Sequence, residues 1–261
     1  MDLDLNIPTD LFTVFNKVTY FDEPHKYFVK NRELISVTTL IHKYQEDFNE
    51  DFWSKKIAEK FNRSQREIIM LWKFINEKGT MKGSIIHDYA EALFLNKVFK
   101  YPEEMIINHF GFDPVRKEYE ITKNHVDKFY KETFNKLIPI KTELVVCDEE
   151  NGIGGMVDML FYNVRAKEYQ IWDWKTNKAF TKESEAGRKL NGVLSKLDEC
   201  DLEIYSLQLS LYKYIIEKYA NIKLGKSYLV WFSHNNDNYE VIETKDRIKE
   251  VKSMIFNYNI M

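Results

Sequence analysis

GMVDMLFYNVRAKEYQIWDWK, Gly155 to Lys175, is the stretch that decides how this 261-residue chain folds. Two apolar runs, Met156 to Tyr162 and Tyr169 to Trp174, flank a polar connection at 163–168, which is the pattern of a β-hairpin. With the turn centred between Arg165 and Ala166, Asp158 falls across from Asp173. Opposed residues on antiparallel strands have Cβ atoms about 4.5 to 5.5 Å apart, and like charges placed there destabilise the sheet. Asp173 also lies between Trp172 and Trp174 in a run that reads as buried on both faces, where a carboxylate without a partner is costly. A divalent cation between the carboxylates relieves both problems, and Lys175, two residues beyond Asp173, points to the same side of its strand. The expectation is a Mg²⁺ or Mn²⁺ site with an amine beside it. The competing reading of a bare D-x-K is an ordinary surface ion pair at a strand end.

Outward from this hairpin, Ile140 to Cys147 reads as a preceding strand. A loop rich in Lys, Ser and Gly follows from Thr176 to about Ser195, then a helix over Leu202 to Tyr219 that is apolar around much of its circumference. Ser227 to Ser233 and Tyr239 to Ile242 resume the sheet before a last helix. The order β-β-β-α-β predicts an α/β fold, a mixed sheet flanked by helices. Upstream, Lys17 to Val29 alternates around Asp22-Glu23-Pro24 as a small hairpin, and Ser36-Val37-Thr38-Thr39-Leu40 reads as a helix start. From there to about Lys136 the apolar spacing is helical in Phe52 to Phe61, Ile68 to Ile75, Ile85 to Phe94 and Val126 to Phe134, with Gly79 and Gly83 among the punctuation. With no repeat and no linker, residues 1–261 form a single domain, about 36–136 a helical elaboration on a core of about 137–261.

The net charge is −3, so any contact with nucleic acid must come from a local patch and not from the overall field. Two cysteines, Cys147 and Cys200, are too few and too far apart for a disulfide framework, a zinc knuckle or an iron-sulfur cluster. The first residues, MDLDLNIPTD, are acidic and unlike a signal peptide, and no apolar run reaches membrane-spanning length. A cytoplasmic protein without membrane contact is expected.

Further candidates surround the acid pair. Glu143, on the strand before Asp158, is a third acid if the register of the 152–155 turn puts it on the same face, and a solvent-facing residue otherwise. His87 and Glu91 are four apart on one helical face, and imidazole beside carboxylates suits Mn²⁺, whereas a lone helical histidine is more often structural; Gln208 and Tyr212 likewise share a face, and taken alone are more often core-edge polar residues than site residues. Lys178, Lys182, Arg188, Lys189 and Lys196, with Phe180 among them, either line a phosphate path or form a solvated loop diluted by Glu183 and Glu185. Trp53, Trp72 and Phe74 could stack bases, but at helical spacing aromatics are more often core. Phosphate-loop, nucleophile-elbow and HExxH motifs are absent from the sequence.

Taken together, these motifs resemble the RecB-like branch of the PD-(D/E)XK nucleases. Ser36-Val37-Thr38-Thr39-Leu40 looks like its SxTxL segment, and Gly83-Ser84-Ile85-Ile86-His87 with Glu91 like its GxxxHxxxE helix. Gly155-Met156-Val157-Asp158 is similar to GxxD, Asp173-Trp174-Lys175-Thr176 to D-x-K-T, and Gln208-Leu209-Ser210-Leu211-Tyr212 to QxxxY. The resemblance implies a restriction-endonuclease-like core in which His87, Asp158, Asp173 and the Trp174 carbonyl ligate one or two Mg²⁺ or Mn²⁺ ions. It further implies that Lys175 assists the attacking water, that Gln208 and Tyr212 support the site and the DNA backbone, and that an amino-terminal helical arch threads single-stranded ends. Relatives with an iron-sulfur cluster use four cysteines, which departs from this chain. The implied activity is a DNA exonuclease on single-stranded or frayed ends, in recombination, repair or phage DNA metabolism, with a helicase or recombination partner left open. The alternatives are a structure- or site-selective endonuclease, a catalytically retired DNA-binding subunit, and a phosphohydrolase of small nucleotides.

Overall fold

The computed structural model describes residues 12–22, 24–184 and 187–260; the MDLDLNIPTD segment, Glu23 and Glu185 lie outside them. Three strands, β1 (Val18–Phe21), β2 (Lys26–Val29) and β3 (Arg32–Ser36), lead into α1 (Val37–His42), α2 (Glu50–Phe61), α3 (Gln65–Phe94), α4 (Glu103–Phe110) and α5 (Arg116–Thr133). The second half runs β4 (Leu137–Asp148), β5 (Ile153–Asn163), β6 (Glu168–Lys175), α6 (Asp201–Ala220), β7 (Tyr228–Trp231), β8 (Glu240–Glu243) and α7 (Ile248–Ile260). The fold is α/β, with a mixed central sheet flanked by helices.

Asn163 closes the decisive hairpin. Its side-chain oxygen accepts from the N–H groups of Arg165 and Ala166, and Lys167 turns through φ 55° to bring its own N–H to the Asn163 carbonyl at 2.8 Å. The pairs that follow, Asn163 with Glu168 up to Met159 with Trp172, keep the anticipated register, in which the next residues in line are Asp158 and Asp173. The sheet order is β1-β2-β3-β5-β6-β7-β8, with β4 on the other edge of β5. The β3–β5 and β6–β7 pairings are parallel, the others antiparallel.

The β4 strand is longer than its apolar run. It starts at Leu137, and the register slips between Pro139 and Lys141, where proline has no N–H to give the ladder. The β3 strand has little local signal, because its parallel contact with β5 spans only Ile35–Ile153 and Ser36–Gly154 and depends on distant sequence.

Helices divide between the two faces. On one, α6, α1 and α7 bury Leu207, Leu211, Ile215, Leu40 and Met254 against Leu160, Ile171 and Leu229. On the other, α3 and α5 bury Ile85, Ile86, Phe94 and Phe129 against Phe161, Trp172, Trp174 and Phe232. One correction to the sequence reading concerns α3. Gly79 and Gly83 do not interrupt it; a single helix of 30 residues, started by a Ser64–Glu67 capping box, runs through both. Its carboxyl half packs on the sheet, while Met70, Leu71 and Ile75 in its amino half remain exposed. Trp53 is likewise exposed at 42%, and Trp72 and Phe74, whose ring partners are Phe48, Phe110 and Phe112, belong to neither buried cluster, so these aromatics are not core. Both cysteines are buried and free, and among the described residues no helix is long and apolar enough to cross a membrane.

Candidate active site

The β5–β6 ladder stops one pair short of the two aspartates. Beyond Met159–Trp172 the strands part, and the Trp174 N–H donates to Asp158 Oδ2 at 2.8 Å. On its other edge β6 stays paired with β7 through Lys175–Trp231, while β5 next meets β3 at Gly154. Among the described residues, 155–158 therefore lack a strand on that edge, and the sheet forks at Asp158.

Side chains from both faces meet in the fork. His87, on α3, places Nε2 at 3.0 Å from the Trp174 carbonyl and Nδ1 at 3.5 Å from Asp158 Oδ2. The ring thus bridges the Trp174 carbonyl and the Asp158 carboxylate, one from each strand of the fork. From the α6 side, Lys175 Nζ lies 2.6 Å from Asp173 Oδ2, 3.4 Å from Gln208 Oε1 and 4.2 Å above the Tyr205 ring. The Gln208 amide donates to the Tyr212 hydroxyl at 3.2 Å. Gly155 makes this approach of α6 feasible, since a Cβ there would sit 2.6 Å from Tyr212 Cε1 and 3.1 Å from Val37 Cγ2.

The electrostatics follow from burial. Asp173 is 2% exposed, and desolvation, reinforced by Asp158 and opposed by Lys175, pushes its carboxyl up to about 6. Its Oδ2 is buried, and the Lys175 ammonium lies against it at 2.6 Å. Burial acts to lower Lys175, yet Asp173, Tyr205 and Asp158 outweigh it and raise the amine above its ordinary value. The Tyr212 hydroxyl is buried and pushed well up.

Glu143 falls in line with Asp158, between the pairs Thr142–Met159 and Leu144–Val157, but at φ 44° its backbone leaves the strand conformation and its side chain is exposed. Although its side chain is exposed, desolvation first, then Glu91, Asp88 and Asp158, raise its carboxyl. Glu91 accepts from Thr142 at 3.0 Å and lies 3.6 Å from the Lys97 ammonium. In the basic run, Lys182 is paired with Glu240 and Lys189 with Asp198.

Oxygens from two carboxylates and a carbonyl, with one imidazole nitrogen, are a donor set suited to Mn²⁺ and, through the oxygens, to Mg²⁺; the buried Asp173 carboxyl, raised by desolvation and by Asp158, fits such an ion. Among the described residues, no three or more His, Cys, Asp or Glu side chains are gathered as a metal-holding group. Tyr205 is a site contact absent from the sequence reading, although its place three residues before Gln208 puts it on the same helical face.

Neither a protein-family model nor a curated protein sequence matches this chain. A solved structure described as the crystal structure of SSO0001 aligns over 70% of this chain and 87% of its own, at 12% identity and a TM-score of 0.27; so loose a superposition carries no argument.

Proposed function

We propose that this chain is a Mg²⁺- or Mn²⁺-dependent DNA nuclease of the RecB-like PD-(D/E)XK kind, built on a restriction-endonuclease-like core and acting as an exonuclease on single-stranded or frayed ends. The observation that carries this reading is the fork. His87, Asp158, Asp173, Lys175 and the Trp174 carbonyl come from a helix and two strands, yet they converge where the sheet gives up its ladder. The order β4-β5-β6-α6-β7 also suits such a core.

A divalent cation held by His87, Asp158, Asp173 and the Trp174 carbonyl would lower the pKa of water and offset charge on a phosphodiester. The protein's own groups have separate tasks around it. Lys175, held protonated, serves as a donor and a positive charge beside the phosphate, and a lysine so placed is a poor acceptor for a proton from water. Gln208 and the Tyr205 face orient its ammonium, and Tyr212 fixes Gln208 in turn.

The test is cleavage of a labelled linear strand beside a circular control. Asp173→Asn and Lys175→Ala should each abolish cutting while leaving strand binding in place, and undiminished turnover in both removes the mechanism. Degradation of the linear strand alone supports the exonuclease; cutting of the circle makes the enzyme an endonuclease.

A further inference from the structure

A groove of about 1100 Å³ runs from His87, Trp174 and Lys175 along α3 to a second charged cluster that the proposed chemistry does not use. Glu118, on α5, accepts from Lys78 Nζ at 2.5 Å and from Lys82 Nζ at 3.3 Å, and Lys82 Nζ lies 3.1 Å from His234 Nδ1. Lys82 is 4% exposed, so its ammonium has little water to rely on. Desolvation lowers its proton affinity, and the carboxylate acting against this is Glu118, already shared with Lys78. An ion pair that merely fastened α3 to α5 would need one ammonium for this carboxylate. Two are present, and Lys178, exposed on the groove lining, adds a third. In a protein of net charge −3, this wall is locally positive.

The cluster is also well placed. Lys82 and His87 are five residues apart on α3, about 7.5 Å along the axis, and Lys78 is about 6 Å further on. A strand with one phosphate at the fork would bring a neighbouring phosphate past these lysines. We propose that Lys78 and Lys82, shared by Glu118 and backed by His234, form a subsite for a substrate phosphate other than the one being cut; this rests on the nuclease reading above. The shared ligand chemistry is a phosphate mono- or diester, supplied either by a strand's 5′ end or by its backbone. Glu118 is a positioning residue that holds both ammonium groups ready, which limits the side-chain entropy lost on binding.

The experiment uses the full chain with Ca²⁺ in place of Mg²⁺ to hold back cleavage, and titrates a labelled single-stranded oligonucleotide over a series of KCl concentrations. Replacing Lys78→Met together with Lys82→Met should weaken binding and flatten the plot of log affinity against log salt by about 0.7 for each phosphate that the variant no longer neutralises. Lys78→Met alone, at a partly exposed position, covers the case in which the double variant fails to fold, and should give a smaller change in the same direction. Lys226→Met, a lysine outside the groove lining whose partner is Glu243, should leave the slope unaltered. If the weakening is confined to 5′-phosphorylated strands, the subsite takes an end; an equal weakening on a circle shows that it takes the backbone. A wild-type protein that binds and cuts DNA, with the slope unmoved in Lys78→Met and in the double variant, overturns the subsite and leaves the nuclease standing. A wild type that neither binds nor cuts removes both.

Discussion

Protons and cations should compete for Asp173, and the competition can be read as stability. In the metal-free protein the folded carboxyl titrates at about 6, against the ordinary 3.8 of an aspartate. Folding therefore takes up a proton between those values. The contribution is fully present below about 3.8 and is lost as pH rises through about 6, amounting to about 3 kcal/mol. A cation needs the ionised form. At pH 5 only about a tenth of Asp173 is ionised, so the apparent affinity for Mn²⁺ should be about tenfold weaker than at pH 7.5. With Mn²⁺ at about 100 times its dissociation constant at pH 7.5, the ion stabilises the fold by about 2.7 kcal/mol there and about 1.4 kcal/mol at pH 5. For a chain of this size, that is a rise in Tm of about 5–11 °C, falling to about 3–6 °C. Differential scanning fluorimetry at the two pH values, with and without Mn²⁺, measures it, and Asp173→Asn should lose most of the shift. An equal Mn²⁺ shift at both pH values, or one that survives in Asp173→Asn, refutes the reasoning.

Gly155→Ala forces a Cβ to within 2.6 Å of Tyr212 and should cost about 1–3 kcal/mol in urea unfolding, with a matching fall in turnover as Tyr212 and Gln208 move; adding Tyr212→Leu should recover stability but not activity. Tyr205→Leu should lower kcat with little change in KM, and Tyr205→Phe, which keeps the ring under Lys175, should restore it. Glu203, 3% exposed, accepts from Lys245 at 2.5 Å and Arg247 at 2.8 Å; because both partners reach solvent, Glu203→Gln should destabilise by about 1–3 kcal/mol in thermal or urea unfolding. Although desolvation opposes it, these partners hold the Glu203 carboxyl below its ordinary 4.5, so its contribution is present above that value and is lost as pH falls, with the sign opposite to Asp173.

The hairpin was legible because two apolar runs and an Asx turn specify its register locally, and the register alone put Asp158 in line with Asp173. The helix carrying Gln208 and Tyr212 was legible for a similar reason: its apolar circumference is what a helix packed on a sheet requires. The continuity of α3 was not. Isolated glycines weaken a helix by only about 1 kcal/mol each, and packing of Ile85, Ile86 and Phe94 outweighs that. The basic wall was not legible either, because Lys78 and Lys82 become neighbours of Glu118 and His234 only after α3, α5 and the segment following β7 have come together; no local spacing encodes that meeting.

The fork ties these points to one physical cause. A fully paired β5–β6 ladder would have placed Asp158 and Asp173 as a cross-strand pair of like charges, with the Trp174 N–H and carbonyl inside the sheet. By parting at Met159–Trp172, the strands hand the N–H to Asp158 and the carbonyl to His87, so backbone groups released from the ladder are satisfied by side chains of the site. The buried Asp173 carboxylate faces the Lys175 ammonium at 2.6 Å, and Lys175 alone does not bring its carboxyl down to ordinary values. A site that leaves one carboxylate strained in the resting protein has a favourable place for positive charge to enter. The Mn²⁺-dependent change in stability therefore tests the proposed metal site directly.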